Sequence, residues 1–440
     1  MDKIDVIIIG AGIAGIQSAY YIQKNCPHLS YKILESRSDL GGTWDLMKFP
    51  GVRSDSDMYT YGYSFNPWQG KIVGLGKEIK DYINQTAEKF NIKKNILFNT
   101  KVQSLEWENK QWHVSTNKSD YICKFIICST GTYDYNNPYI PKFDNQEKYQ
   151  GTIVHPQHWN NTNYVNKDVT IVGSGCTAVT MTPSIVKFAK SVTLIQRSPG
   201  WIVNINSNEI SSRLYKSYET VKNYLYSKLF KNKFKKRILQ CNPYYGKKTT
   251  PSYDFWEQRP ACSLDYDYFN TFYDSKTSIK NQSIDCWTEK GLKLSNGEHI
   301  SSDIVVLATG LNIKLLGGID IKVNGNTIDI NDTSWYRGMM YSGIPNLFNM
   351  FGYVNFSWTA RCELISKRIC RTINYMKKKK LQTCTPKYLG KTTTAPLQAN
   401  YILRAMNKFP NKTYKFYQNY WIESITFNWS KINDGALEFK

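Results

Sequence analysis

The chain of 440 residues contains ten cysteines but no Cys-x-x-Cys pair and no even framework of short cysteine spacings. In a chain of this length that argues against a disulfide-stapled secreted scaffold and points to reduced thiols inside a cell. It also removes the redox thiol pair that a dithiol reductase places beside its cofactor. Histidine is scarce, with five in all. His155 and His158 lie close together, but no Cys, Asp or Glu between Tyr149 and Trp159 completes a ligand set, so no metal is expected. No apolar run is long enough to span a bilayer. The run from Val6 to Ile16 is short and interrupted by three glycines, and no signal peptide is visible, so a cytoplasmic protein is expected. Acidic residues are also few, 35 against 57 Lys and Arg, which leaves a net charge of +22. Such an excess suits an anionic ligand, an anionic surface, or simple drift in a sequence rich in Lys, Asn, Tyr and Ile. No nucleic-acid-binding signature accompanies the charge, so no nucleic acid partner is expected. The basic stretch Asn223–Leu239 has apolar residues at near-helical spacing and leaves peripheral membrane contact open. The plainer reading is a helix packed on its own domain with a solvated lysine face. The sequence carries no signal for an oligomeric state.

What is present begins at the N-terminus. The apolar strand pattern DVIII runs into GAGIAG, in which Gly10, Gly12 and Gly15 form GxGxxG, followed by a helical stretch. A second strand, YKILE, ends at Glu35, about 20 residues further on. Gly10 allows the tight turn, Gly12 lets a pyrophosphate approach the backbone, and Gly15 lets helix and strand pack closely. The helix N-terminus faces the anion, and Glu35 accepts hydrogen bonds from ribose hydroxyls. The pattern repeats in DVTIVGSGCTA, with Gly173, Gly175 and Ala178, and the following strand ends in Arg197 and Ser198. A guanidinium with a neighbouring hydroxyl can bind a 2′-phosphate that a carboxylate would repel. The first site therefore suits FAD and the second NADPH; a solvated surface role is the alternative for Arg197. Two apolar strands ending in Thr-Gly, Phe125–Tyr133 and Asp303–Gly310, fit a chain passing between two nucleotide domains.

Between the two glycine motifs lies YQGTIVHPQHW. It resembles the FxGxxxHxxxW fingerprint of Baeyer–Villiger and related flavin monooxygenases, with Gly151, His155 and Trp159 matching. Tyr149 replaces the usual Phe, and Asn160 stands where Pro or Asp is usual. The resemblance extends along nearly the whole chain. GGTWD (Gly41–Asp45, with Gly42, Thr43 and Trp44), Phe49–Trp68, WEQRP (Trp256–Pro260), Gly352–Leu364 and Tyr401–Pro410 most resemble the subgroup that includes the ethionamide-activating enzymes.

The resemblance implies an α/β fold with two dinucleotide-binding, Rossmann-like domains and a small helical insertion. A discontinuous FAD domain would comprise residues 1–145 and 311–440. The fingerprint, 146–160, would link it to an NADPH domain, 161–310, with the insertion at about 203–250. Residues after about Lys377 are expected to be basic and irregular before a last tyrosine- and tryptophan-rich stretch, and to pack on the FAD domain. The implied reaction inserts one atom of O2 into a ketone through a flavin C4a-peroxide, at the expense of NADPH. N- or S-oxygenation, of a thioether for example, is the alternative; a non-catalytic flavoprotein or a membrane-surface module is the alternative of another class. Arg259, in WEQRP, would supply fixed positive charge beside the reacting oxygen, and Asp55 would orient it. Asp57 is the competing partner, and a structural salt bridge within the NADPH domain the competing role for Arg259. His155 would couple the domains as a hinge residue, with His158 at the surface. Asn355 and Trp358 are cofactor-contact candidates, a core anchor being the other role for Trp358.

Overall fold

In the computed structural model, residues 2–208, 232, 233, 236, 250–255, 257–354, 356–394 and 399–440 are described. The N-terminal strand β1 (Asp2–Ile9) ends in four apolar residues because both its faces are covered. Val6 and Ile8 face one core cluster, Ile7 and Ile9 another. To one side β1 pairs in parallel with β2 (Tyr31–Leu34), which pairs with β3 (Ile96–Leu97). To the other it pairs in parallel with the last strand of an antiparallel meander, β4 (Val102–Glu108), β5 (Gln111–Thr116) and β6 (Tyr121–Cys128). Strand β6 changes partners along its length. Tyr121–Cys123 pair with β5, whereas Ile126–Cys128 pair with Leu347–Asn349. Asp320–Val323 extends the sheet beyond β4. Residues far apart in sequence thus share one sheet.

A second sheet is wholly parallel. Its strands are β7 (Thr152–Val154), β8 (Asp168–Val172), β9 (Ser191–Ile195), β10 (Thr277–Lys280) and β11 (Ile304–Leu307), in the order β10-β9-β8-β11-β7. The middle of the fingerprint, Thr152–Val154, is therefore an edge strand of this sheet rather than a free connector. Helix α1 (Ile13–Asn25) follows β1, and α2 (Cys176–Val186) follows β8. Each strand–turn–helix entry is set by a glycine that approaches backbone. A Cβ on Gly15 would lie 1.9 Å from the Gly10 carbonyl oxygen, and one on Gly173 2.3 Å from that of Ala308.

Two expectations are corrected. The helical insertion does not begin at residue 203: Ile202–Ile205 form a strand paired with Ala261–Leu264. The basic segment Asn223–Leu239 lies almost wholly outside the described residues. The C-terminal region is also more regular than expected. Helix α3 (Trp358–Lys379) packs on α1, and α4 (Tyr420–Trp429) packs on α3. Cys384–Pro386 pairs with Leu437–Phe439. Hydrophobic periodicity in this lysine- and asparagine-rich stretch is masked by the polar residues between the buried ones. No helix among the described residues is long and apolar enough to cross a membrane.

Candidate active site

The carboxyl ends of β1 and β2 open on a cavity of about 600 Å³, which reaches α2 and the turn after β11 on its far side. The first glycine turn forms one end of it. Gly10 adopts φ +101°, which side-chain-bearing residues rarely adopt, and a Cβ there would meet the Ser129 carbonyl at 2.7 Å. Gly12 caps α1 and faces Gly42, whose Cα would lie 3.6 Å from an added Cβ. Two glycines back to back leave the N-terminus of α1 open to a ligand. Glu35 is buried at the end of β2. Its carboxylate accepts hydrogen bonds from the backbone N–H of Ala11 (2.7 Å) and Arg37 (2.8 Å). Burial raises its pKa, and these donors hold it back. Thr43 and Trp44 line the wall; the Thr43 hydroxyl bonds that of Tyr135 (3.0 Å), and the Trp44 indole donates to Tyr61 (2.9 Å).

The opposite wall joins the two sheets. The loop carrying Asp55 reaches α2 because Gly51, at φ +77°, has no side chain: a Cβ there would lie 2.8 Å from the Thr180 carbonyl. From this loop Arg53 donates to the carboxylate of Asp267 and to the Cys262 carbonyl, anchoring it to the second unit. Two residues on, Asp55 accepts from the Arg259 guanidinium at 3.1 Å. Arg259 also donates to the hydroxyl of Ser56 (2.5 Å) and to the carbonyl of Val354 (3.5 Å). Burial disfavours the cation, but Asp55 together with Cys176, Cys262 and Tyr133 holds the Arg259 pKa above the ordinary value. Asp57 is occupied otherwise, capping the short helix Met58–Tyr61 through the Thr60 N–H at 2.9 Å. Trp358 opens α3, lines the cavity and packs on both cores beside β1, so it is both wall and anchor. Asn355 lies outside the described residues.

His155 sits where the fingerprint meets the Thr-Gly turn after β11. Its Nδ1 accepts the Gln157 N–H (3.1 Å), so Nε2 carries the proton and donates to the Gly310 carbonyl (3.1 Å). Burial lowers its pKa to about 4. Below the ordinary value of 6.5 the unfolded chain binds a proton that the folded chain refuses. Stability is therefore expected to fall as pH drops from 6.5 towards about 4, more steeply in the parent than in His155→Gln. Parallel thermal-midpoint curves for the two proteins would contradict this burial. Gly151 is required by its neighbour, since a Cβ would lie 2.3 Å from the Tyr149 hydroxyl. That hydroxyl, the departure from Phe, donates to the Ser302 carbonyl at 2.9 Å. Trp159 is buried in the core of the second sheet, and His158 is exposed.

Gly173, Gly175, Ala178, Arg197 and Ser198 are not in the cavity wall; the cavity reaches α2 through Cys176, Thr177 and Thr180. Ala178 is fully buried packing. Gly175 caps α2 with nothing within 4 Å of an added Cβ, which leaves that helix end open. Arg197 and Ser198 are exposed at the end of β9. Sequence reasoning missed Ser56, Gln157 and Cys176. Each adjoins a residue that was singled out, and adjacency was the only signal. The Cys176 thiol is pushed well up, by burial first and then by Asp55.

Two buried polar atoms at the cavity wall, Ser129 Oγ and Gln157 Oε1, have no partner among the described residues. Both amide hydrogens of Gln157 already serve the carbonyls of Asp134 and Tyr135. Such atoms suit a polar ligand, and with the two open helix ends they fit dinucleotide cofactors. Replacing Gly12 by Val is expected to leave the fold intact and remove FAD, because the side chain fills the ligand's approach. Full flavin absorbance in purified Gly12→Val would contradict the placement.

Comparison with known proteins agrees with this arrangement. Residues 8–68 match the NAD(P)-binding Rossmann-like domain, and residues 69–253 the pyridine nucleotide-disulphide oxidoreductase family. The chain is 34% identical to the FAD-containing monooxygenase EthA of Mycolicibacterium smegmatis, over 100% of this chain and 97% of that protein. It is 35% identical to the probable FAD-binding monooxygenase AlmA of Acinetobacter baylyi, with the same coverage. Its fold is similar to that of cyclohexanone monooxygenase in an open crystal structure, with a TM-score of 0.78 at 17% identity over all of both chains. Steroid monooxygenase bound to NADP superposes with a TM-score of 0.78 at 18% identity, over 99% of each chain. With full-length relatives above 30% identity and a cavity that opens at the first dinucleotide motif and reaches the helix that follows the second, the chain belongs to the FAD-containing monooxygenases.

Proposed function

We propose that the protein is an NADPH- and FAD-dependent monooxygenase that inserts one oxygen atom of O2 into a ketone. The observation that carries this reading is the Arg259–Asp55 ion pair at the wall of the cavity, drawn from opposite units of the chain. Bound FAD, reduced by NADPH, supplies the activation of oxygen. The chain's own residues do the rest. A guanidinium that stays protonated stabilises negative charge developing on oxygen when a carbonyl is attacked. Asp55 and Ser56 fix two of its directions, and the Val354 carbonyl a third. The neutral imidazole of His155 ties the fingerprint to the turn at Gly310, so movement of one unit is felt by the other. Glu35 would hold the ribose of FAD through the oxygen sites its backbone donors leave free, with the pyrophosphate on α1.

Arg197 would take the 2′-phosphate of NADPH, since its guanidinium is exposed and carries no ion pair among the described residues. Arg197→Ala is expected to lose most of the preference for NADPH over NADH at unchanged FAD content, each decade being about 1.4 kcal/mol. Equal preference in variant and parent would place the phosphate elsewhere. The test of the reaction itself is a paired assay of a ketone and a thioether with NADPH and O2. Ester from the ketone supports the proposal. Sulfoxide alone, with no ester from any ketone, replaces it by heteroatom oxygenation.

A further inference from the structure

Helix α4 presents an apolar face to solvent. Tyr417, Trp421, Ile425 and Trp429 recur every fourth residue, with Ile422 beside them. All five are exposed, Ile425 by 63% and Trp429 by 84%. At 100° per residue the four helical positions occupy one sector roughly 100° wide. The buried residues Glu423 and Phe427 lie on the other side. The stripe is thus not the core face of a helix turned outward by error: α4 already has a core face, and this is a second one. Two tryptophans, two isoleucines and a tyrosine in thirteen positions form a contiguous patch of the kind that marks an interaction surface.

Its charge selects the occupant. Glu423 is the single carboxylate between Asn411 and Asn433, and it is fully buried. Lys431 follows the helix and is exposed. Helix α3 runs beside α4 in the same direction, with Arg361 meeting Glu423 and Arg368 meeting Ser430. It continues past that level to Lys377, Lys378, Lys379 and Lys380, all exposed. An aromatic and aliphatic stripe with an exposed lysine at its end and four more at the end of the neighbouring helix, on a chain of net charge +22, matches an anionic bilayer surface, in which tryptophans favour the headgroup boundary and lysines meet lipid phosphates. A second copy of the chain would bring the same lysines against one another.

We infer that α4 docks the protein on anionic membrane surfaces, with Trp421, Ile425 and Trp429 seated at the headgroup boundary. The surface adjoins the site. Gln418, at the foot of the helix, bonds the Gly352 carbonyl and the Val354 N–H, and the Val354 carbonyl receives Arg259. An apolar substrate partitioned in the bilayer would therefore be concentrated near the enzyme that oxidises it.

The experiment is vesicle flotation of the full chain with phosphatidylcholine alone and with phosphatidylcholine plus phosphatidylglycerol, at low and high salt. Binding is expected only with phosphatidylglycerol, to weaken with salt, and to be accompanied by a blue shift of tryptophan emission. Ile425→Ser/Trp429→Ser is expected to bind at least about tenfold more weakly, since two large apolar side chains no longer leave water for the bilayer. Both residues are exposed and neither lines the cavity, so oxidation of a water-soluble substrate should be unchanged. Absence of parent binding to the anionic vesicles overturns the inference, as does equal binding by the double variant. A parent dimer that this variant converts to monomer, without vesicle binding, would assign the face to a second copy instead.

Discussion

Arg259→Ala is expected to retain FAD and to be reduced by NADPH, yet to release hydrogen peroxide in place of ester. Loss of one preorganised charge-stabilising group typically costs about 3–4 kcal/mol, or roughly two to three decades in rate. The guanidinium is held by Asp55, by the Ser56 hydroxyl and by the Val354 carbonyl, so its position is fixed by three elements of the fold. Arg259→Lys keeps the charge but cannot reach these acceptors with one planar fork, and partial rescue is expected. Asp55→Ala should fail in the same direction, because the Ser56 hydroxyl and the long bond to Val354 leave the side chain freer to swing. The deciding quantity is ester formed per NADPH consumed, on one ketone, for the parent and the three variants. Unchanged coupling in Arg259→Ala would remove the carrying observation of the proposed reaction.

The second large effect is on stability. Arg361 and Glu423 are both fully buried, and the guanidinium grips the carboxylate through two nitrogens, at 2.7 and 3.2 Å. The same guanidinium donates to the carbonyls of Phe351 and Arg337 and lies 4.9 Å over the Phe416 ring. Removing one partner leaves a buried charge uncompensated, which typically costs about 3–5 kcal/mol. Glu423→Ala is therefore expected to lower the denaturant midpoint sharply. Replacing both residues with apolar ones of similar size, Arg361→Met with Glu423→Leu, should recover most of that loss, because no charge then remains in the core. If the single variant unfolds within about 1 kcal/mol of the parent, water reaches the pair and α4 is held by packing alone. Near-ultraviolet circular dichroism in urea gives both midpoints.

The two variants probe linked parts of one framework. Arg361 lies one turn into α3, whose first residue lines the cavity, and Glu423 anchors the helix whose outer face carries the exposed tryptophans. Loss of Glu423 should reach the oxygenation site only through stability, so coupling measured well below the unfolding transition should stay near that of the parent. Arg259→Ala should do the reverse, leaving the midpoint nearly unchanged.

Much of this protein was legible from residue order because the relevant physics is local. A strand, a glycine turn, a helix and an acidic residue at fixed spacing are one contiguous unit; Gly10 and Gly12 lie in the turn after β1, Gly15 in the first turn of α1 and Glu35 at the end of β2, bonded to the Ala11 N–H. The second motif was legible for the same reason, with Gly175 at the open cap of α2 and Ala178 buried against its strand. The arginine–aspartate pair was legible only through family resemblance. Nothing in the spacing of residues 55 and 259 brings them within 3.1 Å of each other. What does so is tertiary: Gly51 letting a loop approach α2, Arg53 tying it to Asp267, and a strand at Ala261–Leu264 presenting the neighbouring arginine. Ser56 and Gln157 acquire their roles from the same convergence. Residues near the C-terminus read as irregular because their buried positions are separated by lysines and asparagines, and their partners, Arg337, Arg361 and Arg368, lie elsewhere in the chain. Sequence sets what each segment can form alone. Which polar groups share a low-dielectric cavity, and which apolar face is left in water, are decided only when distant segments exclude solvent from one another.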